Sequence, residues 1–287
     1  MLTFINPKTD FAFKKIFGSP QSKDILISFL NAILYDSNPT IQDLDILDPY
    51  QAPRIEGIKN SFLDIKALLA DSRTVIIEMQ VLNVLGFEKR VLYNAAKSYS
   101  TQLKTGEDYT LLNLVIALTI TDFEMFEHLD KVISRYRLIE KDALTEYSDD
   151  IELIFVELPK FNKSLDELED LTDKWLYFLQ SADELETVPS SLDQVSAIRD
   201  AFEVARQSKL SPEELEIFEK RQQFIHDYRN SFRKAEQLGR ERGVAIGEKK
   251  ARINIARSLL GILPVETISQ TTGLSINEIE NIEDLED

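Results

Sequence analysis

Cysteine is absent from this 287-residue chain, and histidine is scarce, with His128 and His226 as its two residues. The lack of thiols excludes disulfides and thiolate zinc sites, and two histidines do not make up a His-rich metal centre. No apolar run reaches the ~18 residues that a membrane-spanning helix needs. The opening MLTFINPKTDFAFKK also lacks the apolar stretch and cleavage site of a signal peptide. We therefore expect a cytoplasmic protein with no membrane partner.

Basic residues are outnumbered by acidic ones, and the excess lies in the second half. Residues 1–125 carry 12 Lys and Arg against 15 Asp and Glu, whereas the whole chain carries 33 against 50. An acidic surface repels nucleic acid at long range. The charge therefore argues against DNA binding by the second half and hardly constrains the first. A hydrophobic content of 43% with 16 Phe is sufficient for a core.

The first half alternates helix-like and strand-like patterns. Apolar spacing predicts a helix that begins at Thr9 or Asp10 and ends at Gly18, and further helices over 22–35 and 87–104. Residues 111–123 are almost continuously apolar, which is typical of a strand covered on both faces. Other strands are predicted near 41–47, within 61–81, and over 135–138 and 152–158. This order predicts an α/β fold, a mixed sheet flanked by helices.

The character of the sequence changes after Pro159. We predict one domain over 1–161, an acidic helical region over 162–235, and a third region over 236–287 that carries a glycine stripe and a helix-turn-helix-like tail. The glycines of that stripe recur every four residues, at Gly239, Gly243 and Gly247. The second helix of the tail is rich in glutamate, so it suits packing better than a DNA groove.

Residues 61–81, SFLDIKALLADSRTVIIEMQV, hold matched polar residues within two apolar runs. Asp64 and Lys66 are two apart in the first run, and Glu78 and Gln80 are two apart in the second. Residues two apart in a strand share one face. Unpaired charge is costly to bury, and a divalent metal is one reason for placing carboxylates there.

The metal interpretation depends on the register of this hairpin. A loop at Ala70–Ser72 places Asp64 opposite Glu78, whereas a loop at Asp71–Arg73 places Asp64 opposite Gln80. Either loop has an odd length and keeps the two carboxylates on one face. An even loop sends them to opposite faces.

An ordered series of segments resembles one branch of the PD-(D/E)XK nuclease superfamily, the Rpn-type recombination-promoting nucleases, a group of transposases. The segments span roughly residues 1–161 and are NPKTDFAFKKIFG (6–18), FLNAIL (29–34), FLDIKA (62–67), IIEMQ (76–80), RVLYNAAKSY (90–99), LTITDF (118–123) and YSDDIELIFVELPKF (147–161).

The resemblance implies a restriction-endonuclease-like domain, followed here by an all-helical C-terminal region. It implies a metal-dependent endonuclease that hydrolyses the phosphodiesters of DNA, in mobile-element recombination or phage defence. Asp64, Glu78 and the Met79 main-chain carbonyl would bind the ion. Oxygen ligands of this kind suit Mg²⁺, for which Mn²⁺ can substitute.

Gln80 occupies the catalytic position where the superfamily usually has a lysine, and the Rpn-type branch itself often has this glutamine. Glutamine carries no positive charge, so we consider Lys66 as a replacement, with a surface-facing lysine as the alternative. The resemblance also makes Asp10 a candidate for a carboxylate that supports the ligands from outside, although a helix cap is an equal interpretation. Arg90 and Tyr93 are candidates for DNA contact, and core packing is the alternative for Tyr93.

Two other hypotheses remain open for the chain as a whole. The Gln80 substitution and the acidity fit a catalytically weak or inactive DNA- or protein-binding module on the same fold. Alternatively, Asp64, Lys66 and Glu78 form a buried ion-pair cluster in an unrelated α/β protein. We expect a homo-oligomer, a dimer, because two centres are needed to cut both strands. Lys14 and Lys15 are candidates for binding the DNA backbone, with a solvated helix face as the default interpretation.

Overall fold

A computed structural model describes residues 3–51 and 61–282. The chain opens with two helices, α1 (Asp10–Phe17) and α2 (Lys23–Tyr35), as the apolar spacing predicts. The Thr9 hydroxyl caps α1 by accepting a hydrogen bond from the Ala12 N–H group. Gly18 ends it where a Cβ atom would lie 2.8 Å from the Lys14 carbonyl oxygen, so a larger residue does not fit without a backbone shift.

Six strands form one mixed sheet in the order β1-β4-β5-β6-β8-β7, and β2 pairs with β3 in a separate ribbon. Strands β5, β6 and β8 run parallel, while β1, β4 and β7 are antiparallel to their neighbours. The strands are β1 (Leu44–Leu47), β2 (Tyr50–Gln51), β3 (Ser61–Phe62), β4 (Ile65–Leu69), β5 (Thr74–Gln80), β6 (Val115–Thr121), β7 (Ile133–Ile139) and β8 (Glu146–Glu157).

Both faces of the sheet are covered by helices. Every residue of the central strand β6 is buried, which confirms the interpretation of its continuous apolar run. Helix α3 (Phe87–Ser100) packs on one face through β6 and β8. The other face shares the main core with α1, α2 and later helices. The predicted α/β class, a mixed sheet flanked by helices and followed by helical segments, is confirmed.

The main core extends well beyond residue 161. It includes residues of α4 (Leu171–Ser181), α5 (Ser190–Asp193) and α6 (Ser196–Ala205). The Trp175 ring lies 5.6 Å from Phe17 of α1 and 5.7 Å from Phe29 of α2, measured between ring centroids. The predicted boundary after residue 161 therefore cuts through this core. The compact units are Met1–Ile225 and His226–Asp287.

The boundary between the two units falls within helix α7 (Pro212–Leu259), so each unit contains part of this helix. In the second unit its last turns form a small core with α8 (Val265–Thr272) and α9 (Ile276–Glu280). Pro264 and Gly273 flank α8, and Ser275 caps α9. A Cβ atom on any glycine of the stripe would meet no described atom within 4 Å. No helix in the part of the chain that the structure describes combines the length and apolarity needed to cross a membrane.

Candidate active site

Strands β4 and β5 bring Asp64 and Glu78 to one end of the hairpin. Ile65 pairs with Ile77, and the Leu69 N–H group donates to the Arg73 carbonyl across a loop at Ala70–Ser72. This is the first of the two predicted registers, and its continuation sets Asp64 across from Glu78. The odd loop length is confirmed.

The main chain of Met79 lies beside Asp64 at the end of this ladder. The Met79 N–H group donates a 2.8 Å hydrogen bond to Asp64 Oδ2. The N–H and C=O groups of one strand residue point to the same side. The Met79 carbonyl therefore faces the Asp64 side as well, two residues beyond Ile77, which forms the last β4–β5 pair.

Helix α1 adds an acid and a base to the two strand carboxylates. Lys14 Nζ lies 2.6 Å from Asp10 Oδ1 and 3.2 Å from Asp64 Oδ1. Lys14 is 40% exposed, in agreement with a solvated helix face, and it also bridges these two acids. Asp10 also contacts Asp64 through a side-chain hydrogen bond. It is the first residue of α1, and the cap itself is Thr9.

Burial governs the protonation of these acids. It raises the pKa of Asp64 to about 7, against the opposing effects of the Met79 N–H group and Lys14. Burial likewise raises the pKa of Glu78, although hydrogen bonds from Arg90 and Asn94 favour its ionised form. Burial acts on Asp10 too, but hydrogen bonds with Lys14 and Asp64 outweigh it and lower its pKa. The site thus holds more carboxylate than its own cations stabilise.

Helix α3 closes the cluster on the Glu78 side. Arg90 Nη2 forms an ion pair with Glu78 Oε1 and donates a 2.8 Å hydrogen bond to Gln80 Oε1. Asn94, one turn further along, is 2% exposed and hydrogen-bonds to Glu78. Its Oδ1 atom is buried without a hydrogen-bond partner among the described residues. Asn94 was not predicted as a site residue. It lies four residues after Arg90, a spacing that places the two side chains on the same face of a helix.

Two predicted residues have other surroundings. Burial lowers the pKa of the half-buried Lys66, and the Asp48 carboxylate opposes this shift. The backbone of Lys66 pairs with Leu47 of β1. Tyr93 is 39% exposed, which excludes core packing, and its ring centroid lies 5.9 Å from Lys97 Nζ. The structure therefore brings together Asp10, Asp64, Glu78, Gln80 and Arg90.

A cavity of about 690 Å³ lies elsewhere on the same unit. Its lining includes Arg73 and Leu114, which directly precede β5 and β6, and Glu152 in the middle of β8. Glu78 and Gln80 are at the carboxyl end of β5. The cavity shares no residue with the carboxylate cluster.

The sequence profile of the PD-(D/E)XK nuclease family transposases matches residues 7–235. The chain belongs to this family. No curated protein and no solved structure matches it significantly. Membership of the PD-(D/E)XK nuclease family transposases supports a nuclease-like or transposase function, with DNA as the substrate that the family suggests. The match also crosses residue 161 and includes the helices that complete the main core.

PD-(D/E)XK nucleases typically use divalent metals, and the donor set here fits such an ion. Asp64, Glu78 and the Met79 carbonyl supply oxygen atoms, and the raised pKa values of both acids indicate room for more positive charge. No group of three or more His, Cys, Asp or Glu side chains in the described ranges is arranged to hold a metal. Oxygen donors of this kind suit a hard divalent cation.

Proposed function

We propose that the protein is a Mg²⁺-dependent DNA endonuclease of the recombination-promoting type. The observation that carries the proposal is the β4–β5 register, whose continuation sets Asp64 across from Glu78, together with the hydrogen bond from the Met79 N–H group to Asp64 Oδ2. Membership of a nuclease family of transposases supports the same chemistry. Asp64, Glu78 and the Met79 carbonyl hold the ion, and Mn²⁺ substitutes for it.

The reaction is the hydrolysis of a phosphodiester. A new bond forms between a water oxygen and phosphorus, the bond from phosphorus to one sugar oxygen breaks, the water gives up a proton and the leaving oxygen gains one. When bound, the ion acidifies water and neutralises charge on the phosphate. Lys14, whose Nζ atom lies 2.6 Å from Asp10 Oδ1 and 3.2 Å from Asp64 Oδ1, favours the ionised form of both acids and so helps Asp64 to serve as a ligand.

Cleavage of supercoiled plasmid tests this proposal. We expect the wild-type protein to nick the plasmid in Mg²⁺ or Mn²⁺. The cleavage rate of Asp64→Asn and of Glu78→Gln should be lower by at least about 100-fold. Glu88→Gln, which changes an exposed acid of α3, is the matched control and keeps its activity. Circular dichroism checks that all variants are folded.

Inactivity of the wild-type protein in every divalent metal would overturn the proposal. Retained DNA binding under those conditions would favour the interaction module instead. The ion pairs of Asp64 with Lys14 and of Glu78 with Arg90 are the observation that supports this second candidate, because they offset part of the negative charge of the acids without a metal.

The proposal includes a dimer, because a double-strand cut needs two such centres. Light scattering at micromolar concentration tests the dimer, and a monomer with or without DNA would contradict it. Mobile-element recombination and phage defence both agree with the chemistry, and both suit a cytoplasmic protein.

A further inference from the structure

The site contains a positive charge that the sequence motif lacks. Position 80 holds a glutamine, where the nuclease pattern has a lysine beside the scissile phosphate. We propose that Arg90 supplies this charge from helix α3 and that Gln80 holds its guanidinium in place. The inference rests on the proposed nuclease function and names a further catalytic residue for it.

Arg90 is held against the two relevant positions of β5. Its Nη2 atom contacts Glu78 Oε1 and Gln80 Oε1 together, and the guanidinium carbon lies 5.0 Å from the centroid of the Phe87 ring. Phe87 is buried and starts α3, so the stacking restrains the arginine on its own helix. The cation therefore occupies the region that a lysine at position 80 would reach.

The orientation of the Gln80 amide allows this residue to position the Arg90 guanidinium. Its Nε2 atom donates a 2.6 Å hydrogen bond to the Leu82 carbonyl, which turns Oε1 towards Arg90. A lysine at position 80 would have placed two cations side by side. The glutamine instead accepts a hydrogen bond from the cation that comes from α3.

Arg90 also keeps donors for a substrate. Its side chain is 41% exposed, and its hydrogen bonds to Glu78 and Gln80 both come from the Nη2 atom. A guanidinium matches the geometry of phosphate oxygens.

Two other cations are less well placed for this role. Lys14 is engaged by the pair Asp10 and Asp64, on the α1 side of the cluster. Lys66 forms no ion pair with Asp64 or Glu78 in the described part of the chain, and Asp48 is a charged neighbour. Arg90 alone among these three contacts Gln80 in the described structure.

In the reaction Arg90 binds a non-bridging phosphate oxygen and stabilises the charge that grows there. The oxygen of water forms its bond to phosphorus while the bond to the sugar oxygen breaks, and the arginine gives up no proton. Guanidinium stays protonated at ordinary pH, so it cannot act as the base. Removal of one such donor typically costs about 100-fold or more in kcat.

The test measures single-turnover cleavage of supercoiled plasmid in saturating Mg²⁺ by the full-length chain. We expect Arg90→Gln to be at least about 100-fold slower. We expect Arg90→Lys to retain more activity than Arg90→Gln, and the double variant Arg90→Gln/Gln80→Lys to regain at least about 10-fold by returning the charge to the strand. Lys89→Gln, an exposed neighbouring cation of α3, is the control with unchanged rate.

A second readout separates catalysis from scaffolding. The binding of Mn²⁺ alone, followed by electron paramagnetic resonance, should be unchanged or tighter in Arg90→Gln, because a cation beside Glu78 has been removed. Loss of Mn²⁺ affinity together with a lower Tm would show that Arg90 only positions Glu78, and would overturn the proposal.

Two further outcomes would also overturn it. Cleavage by Arg90→Gln within about threefold of an active wild-type protein would refute this inference and leave the nuclease proposal intact. A large loss in Lys66→Gln with no loss in Arg90→Gln would assign the role to Lys66. An inert wild-type protein would overturn both proposals together.

Discussion

The Met79 N–H group donates its hydrogen bond to Oδ2 of Asp64, at a distance of 2.8 Å. This bond ties the start of one strand to the end of the next and orients a carboxylate that burial would otherwise keep protonated. Asparagine has an acceptor of the same shape at this position. It is therefore the substitution that removes the charge while leaving the bond in place.

Asp64→Asn should stabilise the metal-free protein at about pH 8 and have little effect near pH 4. The pKa of Asp64 is about 7 in the folded state against an ordinary 3.8. The folded protein therefore binds more protons than the unfolded chain between these values, and wild-type stability falls as the pH rises through them. We expect a gain of about 1–3 kcal/mol in the free energy of unfolding at the higher pH.

Urea unfolding in the presence of a chelator measures this gain. Asp130→Asn, at an exposed aspartate, is the matched control. An equal effect of Asp64→Asn at both pH values would show that the substitution acts through packing and not through ionisation.

The affinity for Mn²⁺ should rise about tenfold between roughly pH 6 and pH 8. A carboxylate must lose its proton before it binds a metal, and the pKa of Asp64 lies within this interval. Titrations followed by paramagnetic resonance give the affinity at each pH. A flat profile would mean that Asp64 is not a ligand, and Glu78→Gln should weaken binding throughout the range.

Glu157→Gln should cost about 3 kcal/mol of stability. Glu157 is fully buried at the end of β8, where its carboxylate lies 2.8 Å from Lys160 Nζ and 3.0 Å from the Phe126 nitrogen. Removing the negative charge leaves the buried Lys160 ammonium group with the neutral Phe126 and Leu129 carbonyls as acceptors and without its anion. Urea denaturation measures the effect, with the exposed Glu124→Gln as the control. A cost below about 1 kcal/mol would mean that water reaches the pair.

A fragment ending at residue 161 should fail to fold, whereas one ending at residue 225 should unfold cooperatively. The shorter fragment lacks Trp175, Phe178 and Phe202, which are buried in the main core. Exposing that core would leave a large apolar surface on α1 and α2. Circular dichroism and thermal melts compare the two. A stable, cooperative short fragment would restore the boundary at residue 161.

The strands and helices of the first half followed from local pattern. The alternation of polar and apolar residues in 61–81 and the continuous apolar run of β6 are both typical of strands, so the type of these elements was predictable. Their ends were less so, because α3 stops at Ser100 and not at residue 104, and β8 starts at Glu146. The boundary at residue 161 was misplaced because amphipathic helices rich in surface charge look alike whether they join an existing core or form a new one.

The candidate site was partly predictable for the same reason. Asp64 and Glu78 share a hairpin, so their meeting depends on one loop length that the sequence limits to a few choices. Lys14 and Asn94 come from helices whose docking on the sheet is a tertiary event. Their proximity to the carboxylates required the packed structure, and Lys66 looked better than Arg90 because it lies nearer in sequence.

The tight connection at Ala70–Ser72 has a consequence for how relatives of this chain can diverge. Ser72 adopts a left-handed conformation, with φ of 71°, to complete it. One inserted or deleted amino acid there would rotate every later side chain of β5 to the wrong surface, whereas a pair would restore the alternation. Insertions at this turn should therefore come in even numbers in descendants that keep the chemistry, and a single-residue indel should mark lineages that have abandoned it.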